Sequence, residues 1–397
     1  MATAEQPRSG VDRVAATGAA TALVGCLLSS FVSLRPNRLV GGVPRSLLAS
    51  AGVAGWLLLG LAAMALAAAI VPLGSRRGVA LRVTGGGLFV ALAWALGGAA
   101  TGLLPTGGQF ARVSIGAGAW LVLLGASVVR FSSGGRSGSL PAWASWAVDA
   151  ATALGVVAAV PWGGLAELSI AQEYVVQSST FWGAVLRHLT LSGTAVGLGA
   201  VIGVPLGVVA FRSPKVRRVA LGVVGVIQTI PSLALLGLLV APLAALRVAS
   251  PVLARLGVAG IGPTPAIIAL TLYALLPIVR DTFVGLAEVD PAAIDAGRGM
   301  GMSGAQLLLR VELPLALPLL IEGVRSAAVL VIGITAVTAF VGAGGLGELI
   351  FTGLGQVADD LVLLGALPVI VLAVLADVIM RGVARVSVSR GIRGGNA

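Results

Sequence analysis

The chain has 397 residues, a formal net charge of +11, 57% hydrophobic residues before glycine is counted, and only 10% charged residues. A soluble domain carries about 45–50% apolar residues with glycine included and about 25% charged ones. The composition therefore excludes a soluble globular enzyme, a disordered chain and a disulfide scaffold, and leaves an all-α polytopic membrane protein. One cysteine, Cys26, and one histidine, His188, exclude an internal disulfide and a Cys/His metal cluster. Of the 26 basic residues only Lys215 is a lysine, and it stands in Ser213-Pro214-Lys215-Val216. A phosphate-binding P-loop needs Gly-Lys-Ser/Thr, so any ATP used with this chain is bound by another subunit.

A spanning helix needs about 20 mostly apolar residues. Ten stretches qualify: 15–34, 47–71, 84–104, 113–129, 142–161, 190–211, 218–246, 263–280, 316–340 and 360–380. The first reads as a span and not a cleaved leader, because further spans follow and no clear cleavage site stands out. With Arg8 and Arg13 inside, alternation also places inside Arg76, Arg77 and Arg82; Arg130 and Arg136; Arg212, Lys215, Arg217 and Arg218; residues 281–315; and Arg381, Arg385, Arg390 and Arg393. Both termini are then cytoplasmic, and the positive-inside rule accounts for most of the +11 without a nucleic-acid partner. The outer segments 105–112, 162–189, 247–262 and 341–359 hold only Arg112, Arg187, Arg247 and Arg255, with Glu167, Glu173, Glu348, Asp359 and His188. Loop 35–46 is the exception, falling outside with Arg35, Arg38 and Arg45. The more polar stretch 162–189 reads as an extracytoplasmic connector, either a plain loop or a segment lying along the membrane surface. It divides an N-terminal block of five helices, 1–161, from a C-terminal block of five, 190–385, followed by a tail, 386–397.

The sixth span carries Gly193 and Gly197, then Gly199, Gly203 and Gly207, at the four-residue spacing that lets helices approach closely. Pro205, Pro231, Pro277 and Pro368 are expected to kink their helices. Gln228, Thr229 and Ser232 place polar groups beside Pro231 on the seventh span, and face either a translocation path or a neighbouring helix. Glu322 and Arg325 are three apart and pair on one face. Asp149 and Asp377 are intramembrane carboxylates, too few for a proton relay, and are expected either to face a cavity or to be satisfied structurally.

Residues 281–315 differ from the rest. Asp290 is an N-cap and Pro291 suits a first helical turn, so a short helix runs from Pro291 to Arg298. Gly299-Met300-Gly301 breaks it, Ser303 and Gln306 form a capping box for a second short helix, and Pro314 stops that one. Such an element, 284–316, suits docking to a cytoplasmic protein.

Asp295-Ala296-Gly297, three residues, Gly301, nine residues and Val311-Glu312-Leu313-Pro314 resemble the EAA signature of binding-protein-dependent ABC importer permeases, Glu-Ala-Ala, three residues, Gly, nine residues, Ile-x-Leu-Pro. The spacing matches throughout. Asp295 replaces Glu, Gly297 replaces the second Ala at a cost of about 1 kcal/mol in helix propensity, and Val311 replaces Ile. Residues 228–235 (Gln-Thr-Ile-Pro-Ser-Leu-Ala-Leu), 273–280 (Tyr-Ala-Leu-Leu-Pro-Ile-Val-Arg), Val289-Asp290-Pro291, 299–302 and 340–347 resemble the glycine betaine, choline and osmoprotectant permeases, over about 180–385. Where that family often has Asn, this chain has Asp281. The first five spans look like the extension of an osmoprotectant-permease subgroup.

The resemblance implies a type I importer permease core in a bacterial inner membrane, with two cytoplasmic ATPase subunits, an extracytoplasmic solute-binding protein and a second permease, the same chain or a relative. This chain would bind no cofactor; ATP and Mg would be used by the ATPase. Asp295, Ala296, Gly297, Gly301, Val311, Leu313 and Pro314 would couple to that ATPase, with Asp295 near a helix N-terminus and Gly301 supplying a turn. Gln228, Thr229, Pro231 and Ser232 would line the path. A quaternary ammonium is usually held by an aromatic cage, and two tyrosines and seven dispersed tryptophans assign high-affinity selection to the binding protein. The alternatives are an ABC permease for another small solute such as an amino acid, and an ion-coupled secondary transporter, which predicts related halves that the sequence does not display.

Overall fold

The computed structural model describes residues 10–37, 40–108, 110–133 and 141–387, so Arg8, Arg38, Arg136, Arg390 and Arg393 lie outside the described residues. The chain forms two compact units, 1–176 and 177–397.

The first unit contains α1 (Arg13–Leu27), β1 (Val32–Arg35), β2 (Val43–Arg45), α2 (Leu47–Ser50), α3 (Gly52–Ile70), α4 (Arg76–Gly107), β3 (Arg112–Ile115), α5 (Ala117–Ser132) and α6 (Ala142–Ala158). Its core is built from small residues. Ala15, Ala19 and Ala22 on α1 are fully buried, and a Cβ on Gly18 would lie 2.9 Å from the Gly125 carbonyl of α5. Alanine and glycine let these two backbones touch, which is how helices gain packing where apolar burial discriminates little.

The expected first span, 15–34, is shorter than foreseen. Its helix ends at Leu27, and residues 32–35 become the central strand of an antiparallel sheet ordered β2-β1-β3. Val32 pairs with both Arg45 and Ile115, and Arg35 pairs with Arg112. Arg35 and Arg45 of the arginine-rich exception lie on strands of this sheet. Loop 35–46 is part of a hairpin, not free chain, and it shares a sheet with the segment that follows α4. Arg112 in turn bonds Glu173, which is 1% exposed, at 2.6 Å. Away from the sheet, Arg77 donates to the Gly10 and Val71 carbonyls at 2.6 and 2.9 Å. Of the two roles expected for Asp149, the structure shows the satisfied one: it is held between Arg82 at 2.6 Å and Arg130.

Most of residues 162–189 is helix and not a plain loop. After a 3₁₀ turn at Leu165–Glu167, α7 runs as one helix of 44 residues from Ser169 to Arg212. Glu173, Arg187 and His188 are therefore helical.

The second unit continues with α8 (Pro214–Thr229), α9 (Ser232–Ala249), α10 (Pro251–Arg255), α11 (Pro263–Ala287), α12 (Pro291–Gly299), α13 (Gly304–Leu307), α14 (Leu313–Thr335), a 3₁₀ turn at Ala336–Val341, α15 (Leu346–Gly355) and α16 (Asp359–Ser387). Among the described residues seven helices are long and apolar enough to cross a membrane: α3, α4, α7, α9, α11 and α16, and a continuous helical run from Gly304 to Val341. Three further expected spans fall on the shorter helices α1, α5 and α6. The expected span 218–246 is divided: the helix breaks at Ile230-Pro231, so Pro231 ends one helix and opens another. Pro205, Pro277 and Pro368 stay inside continuous helices.

Only one of the two glycine runs on α7 is a packing face. Cβ atoms on Gly199, Gly203 and Gly207 would lie 2.7, 2.9 and 2.6 Å from Ala274, Ile278 and Thr282 of α11, whereas Gly193 and Gly197 have nothing within 4 Å. The partners on α11 repeat at the same four-residue interval, so the two helices mesh over two turns. His188, fully buried on α7, bonds the Ile332 carbonyl through Nε2 at 2.9 Å, and Arg187 donates to the Ala343 carbonyl at 2.9 Å.

Candidate functional site

The segment after α11 folds largely as its caps dictate. The Asp290 carboxylate accepts from Ala292 N at 2.9 Å and Pro291 opens α12. Helix α12 ends at Gly299, and Gly301 takes φ +78°, a left-handed turn that a side chain would resist. The capping box is formed both ways: Gln306 N donates to Ser303 Oγ at 3.4 Å and Ser303 N to Gln306 Oε1 at 2.9 Å.

Two expectations are corrected. Pro314 does not stop the second helix. Residues 308–312 widen into a π turn and the chain continues into α14, with Pro314 in its first turn. Proline lacks the N–H that would serve Arg310 O, and wider winding accommodates the lost bond. Asp295 is also not at a helix N-terminus. It lies in the middle of the nine-residue α12, solvent-facing, 3.4 Å from Arg298.

The segment has two faces. On the anchored one, Ile294, Leu308 and Leu313 pack against Leu286, Val289, Ala316 and Leu320. Gly297 is buried where a Cβ would lie 2.7 Å from Leu307 Cδ1 and 3.6 Å from Val311 Cγ2. Glycine in place of alanine thus lets α12 close onto α13. Glu312, 1% exposed, pairs with Arg212 at the end of α7. The Arg212–Glu312 pair was not foreseen; both residues were read only for topology or motif spacing. On the open face are Asp295, Ala296, Gly301 and Pro314, with Met300 and Leu309 at 71% and 65% exposure. Gly297 lies against Leu307 and Val311, Leu313 lies in the cluster with Leu286 and Leu320, and these two contacts make the segment's hinge core; the other motif residues face outward.

The second group of expected site residues surrounds the α8–α9 break. Gln228 Nε2 donates to the Tyr273 carbonyl of α11 at 2.9 Å, and Tyr273 Oη donates to the Ile230 carbonyl. The reason lies in Pro277, which has no N–H for the carbonyl four residues back. Tyr273 O is freed by that proline and Gln228 fills the vacancy. Thr229 bonds its own helix, Oγ1 to Val226 O at 2.7 Å.

Gln228 also lines a cavity of about 300 Å³ together with Arg280, Asp281 and Ser326, against apolar walls that include Leu276 and Leu330. Thr229, Pro231 and Ser232 are not among its lining residues. Arg280 and Asp281, adjacent on α11, went unassigned in the sequence because Ser326 and Gln228 lie on other helices, and only the meeting of those helices gathers them around one cavity. Beside the cavity, Arg325 binds Glu322, with one contact at 2.8 Å, as the three-residue spacing implied; it also binds Asp377 of α16, which pairs with Arg381. Among the described residues no group of three or more His, Cys, Asp or Glu could hold a metal ion.

Residues 196–386 match the family model described as "Binding-protein-dependent transport system inner membrane component", and residues 12–171 match one described as "ABC transporter permease YehY, N-terminal domain". The chain is 44% identical over 191 residues to the carnitine transport permease protein OpuCB of Listeria monocytogenes, covering 48% of this chain and 80% of that protein. It is 41% identical over 207 residues to the osmoprotectant import permease protein OsmW of Salmonella typhimurium, covering 52% and 91%. It is 39% identical over 194 residues to the choline transport system permease protein OpuBB of Bacillus subtilis, covering 49% and 82%. Among solved structures, an inward-facing MetNI methionine ABC transporter chain aligns at TM-score 0.47 and 26% identity, covering 53% of this chain and 96% of that one.

Proposed function

Given that the chain belongs to the family of binding-protein-dependent transport system inner membrane components, we propose that it is the permease subunit of an ATP-driven importer for quaternary ammonium osmoprotectants such as glycine betaine, choline or carnitine. Its relatives are permeases named for those solutes. The partners are cytoplasmic ATPase subunits that use ATP and Mg, an extracytoplasmic solute-binding protein, and a second permease subunit, with both termini of this chain cytoplasmic. The single lysine, outside any P-loop, supports placing the nucleotide on another chain.

The observation that carries the reading is the two-faced segment 290–314. Its hinge core ties it to α11 and α14, and Glu312 ties it to α7, so a push on its open face moves three helices together. Movement of the ATPase subunits on ATP binding would supply that push. Asp295, Ala296 and Gly301, with exposed Met300, form the contact. Asp295 offers a charge and Met300 an adaptable apolar side chain.

Asp295→Lys reverses the exposed charge at the centre of that contact without touching the hinge core. The expected outcome is loss of ATPase copurification, or ATP hydrolysis without uptake. Unchanged assembly together with unchanged uptake of labelled glycine betaine would overturn the proposal. Uptake of proline in its place would shift it to the amino-acid alternative.

A further inference from the structure

Three guanidiniums and three carboxylates occupy one region of α11, α14 and α16: Arg280, Arg325 and Arg381; Asp281, Glu322 and Asp377. The bonds of Arg325 to Glu322 and Asp377, and of Arg381 to Asp377, use four of the six. Arg280 and Asp281 remain. Among the described residues they form no hydrogen bond or contact ion pair, with each other or with a third group. Both line the cavity of about 300 Å³. Arg280 is exposed and Asp281 partly buried, near the end of α11 that leads into segment 290–314. Two charges of opposite sign that take no contact in the neighbouring ion-pair network and open on one cavity form an incomplete electrostatic pair.

The uncharged lining adds to this. Gln228 uses one N–H on Tyr273 O and has a second to give. Ser326 supplies a hydroxyl. The cavity thus offers donors for an anion in Arg280, Gln228 and Ser326, and one fixed negative charge in Asp281. A quaternary ammonium has no N–H to donate, so beside apolar walls it needs only a carboxylate's charge or an aromatic face.

Resting on the importer reading above, we propose that this cavity is a binding site for a small zwitterion, a quaternary ammonium carboxylate, in which Arg280 receives the solute's carboxylate and Asp281 its cationic head. The site therefore disfavours the carboxylate-free cation choline. A site built to hydrogen-bond a substrate group rejects the analogue that lacks it, because its own donors are left unmatched.

The test is saturation-transfer NMR on the purified complex with its copurifying ATPase, using millimolar glycine betaine and choline as probes and omitting the solute-binding protein. Wild type should bind glycine betaine about tenfold or more tightly than choline, the usual scale for a charge-assisted hydrogen bond. Arg280→Gln should reduce glycine betaine to the choline level, Arg280→Lys should retain most of it, and Asp281→Asn should weaken both. Copurification of the ATPase with each variant shows that the variant folds. Equal binding of the two solutes, no binding of either, or an Arg280→Gln complex that keeps its glycine betaine would overturn the site. Wild-type uptake of glycine betaine in the full system separates the two claims: uptake without these binding differences overturns the site alone. No uptake of any quaternary ammonium solute overturns the importer reading and the site with it.

Discussion

At the scale of single residues, burial decides which ion pairs matter. Asp295 and Arg298 leave 72% and 65% of their side chains in solvent. Such pairs contribute about 0–1 kcal/mol, so Asp295 is free to be spent on a partner. Glu312 is the opposite case, 1% exposed against an Arg212 that is 43% exposed. Removing the arginine strands a buried carboxylate, at a cost of about 1–3 kcal/mol. Arg212→Ala should therefore lower the thermal unfolding midpoint of the detergent-purified protein, and Arg298→Ala should leave it nearly unchanged. Equal shifts for the two variants would mean that Glu312 is not held by Arg212. The same logic explains Gly297. In an isolated helix it is a fault, but against Leu307 it is the residue that fits.

At the scale of elements, apolar length revealed most helices and cap chemistry revealed α12 and the capping box, because both are local signals. What stayed hidden was non-local. The four-residue strand β1 follows an apolar helix directly, and its partners Arg45 and Ile115 are remote in sequence, so nothing near Val32 announces a strand. The break at Ile230-Pro231 read as a kink, since its carbonyl finds a partner only in Tyr273 on another helix. Pro314 read as a stop because the compensating π turn has no residue signature. Glycine spacing showed both its power and its limit, since Gly193 and Gly197 match the pattern as well as Gly203 and Gly207 do. The structure separates them by what lies opposite. Gly207→Val should disrupt the packing of α7 on α11, where Thr282 stands 2.6 Å from the added atom, and reduce yield and unfolding temperature. Gly197→Ala meets open space and should be neutral or stabilising by up to about 1 kcal/mol through helix propensity. A neutral Gly207→Val would show that this interface tolerates separation.

At the scale of the whole molecule, the +11 becomes a statement about sidedness. The sheet assembles 32–35, 43–45 and 112–115. Charge alternation puts loop 35–46 and segment 105–112 on the outside, and would put the arginines at 76, 77 and 82, at the start of α4, on the inside. The hairpin arginines do not contradict that assignment, because translocation of a short folded hairpin is decided by the summed charge flanking several spans and not by one loop. The sole cysteine makes the point measurable. Cys26 is buried, so a thiol introduced at an exposed serine is the one that reacts. Ser46, beside β2, and Ser75, ahead of α4, are both exposed. In intact cells a membrane-impermeant maleimide should label Ser46→Cys, and should label Ser75→Cys only after permeabilisation. The reverse pattern would invert the first unit and place the N-terminus outside. Labelling of both without permeabilisation would mean that α3 does not cross.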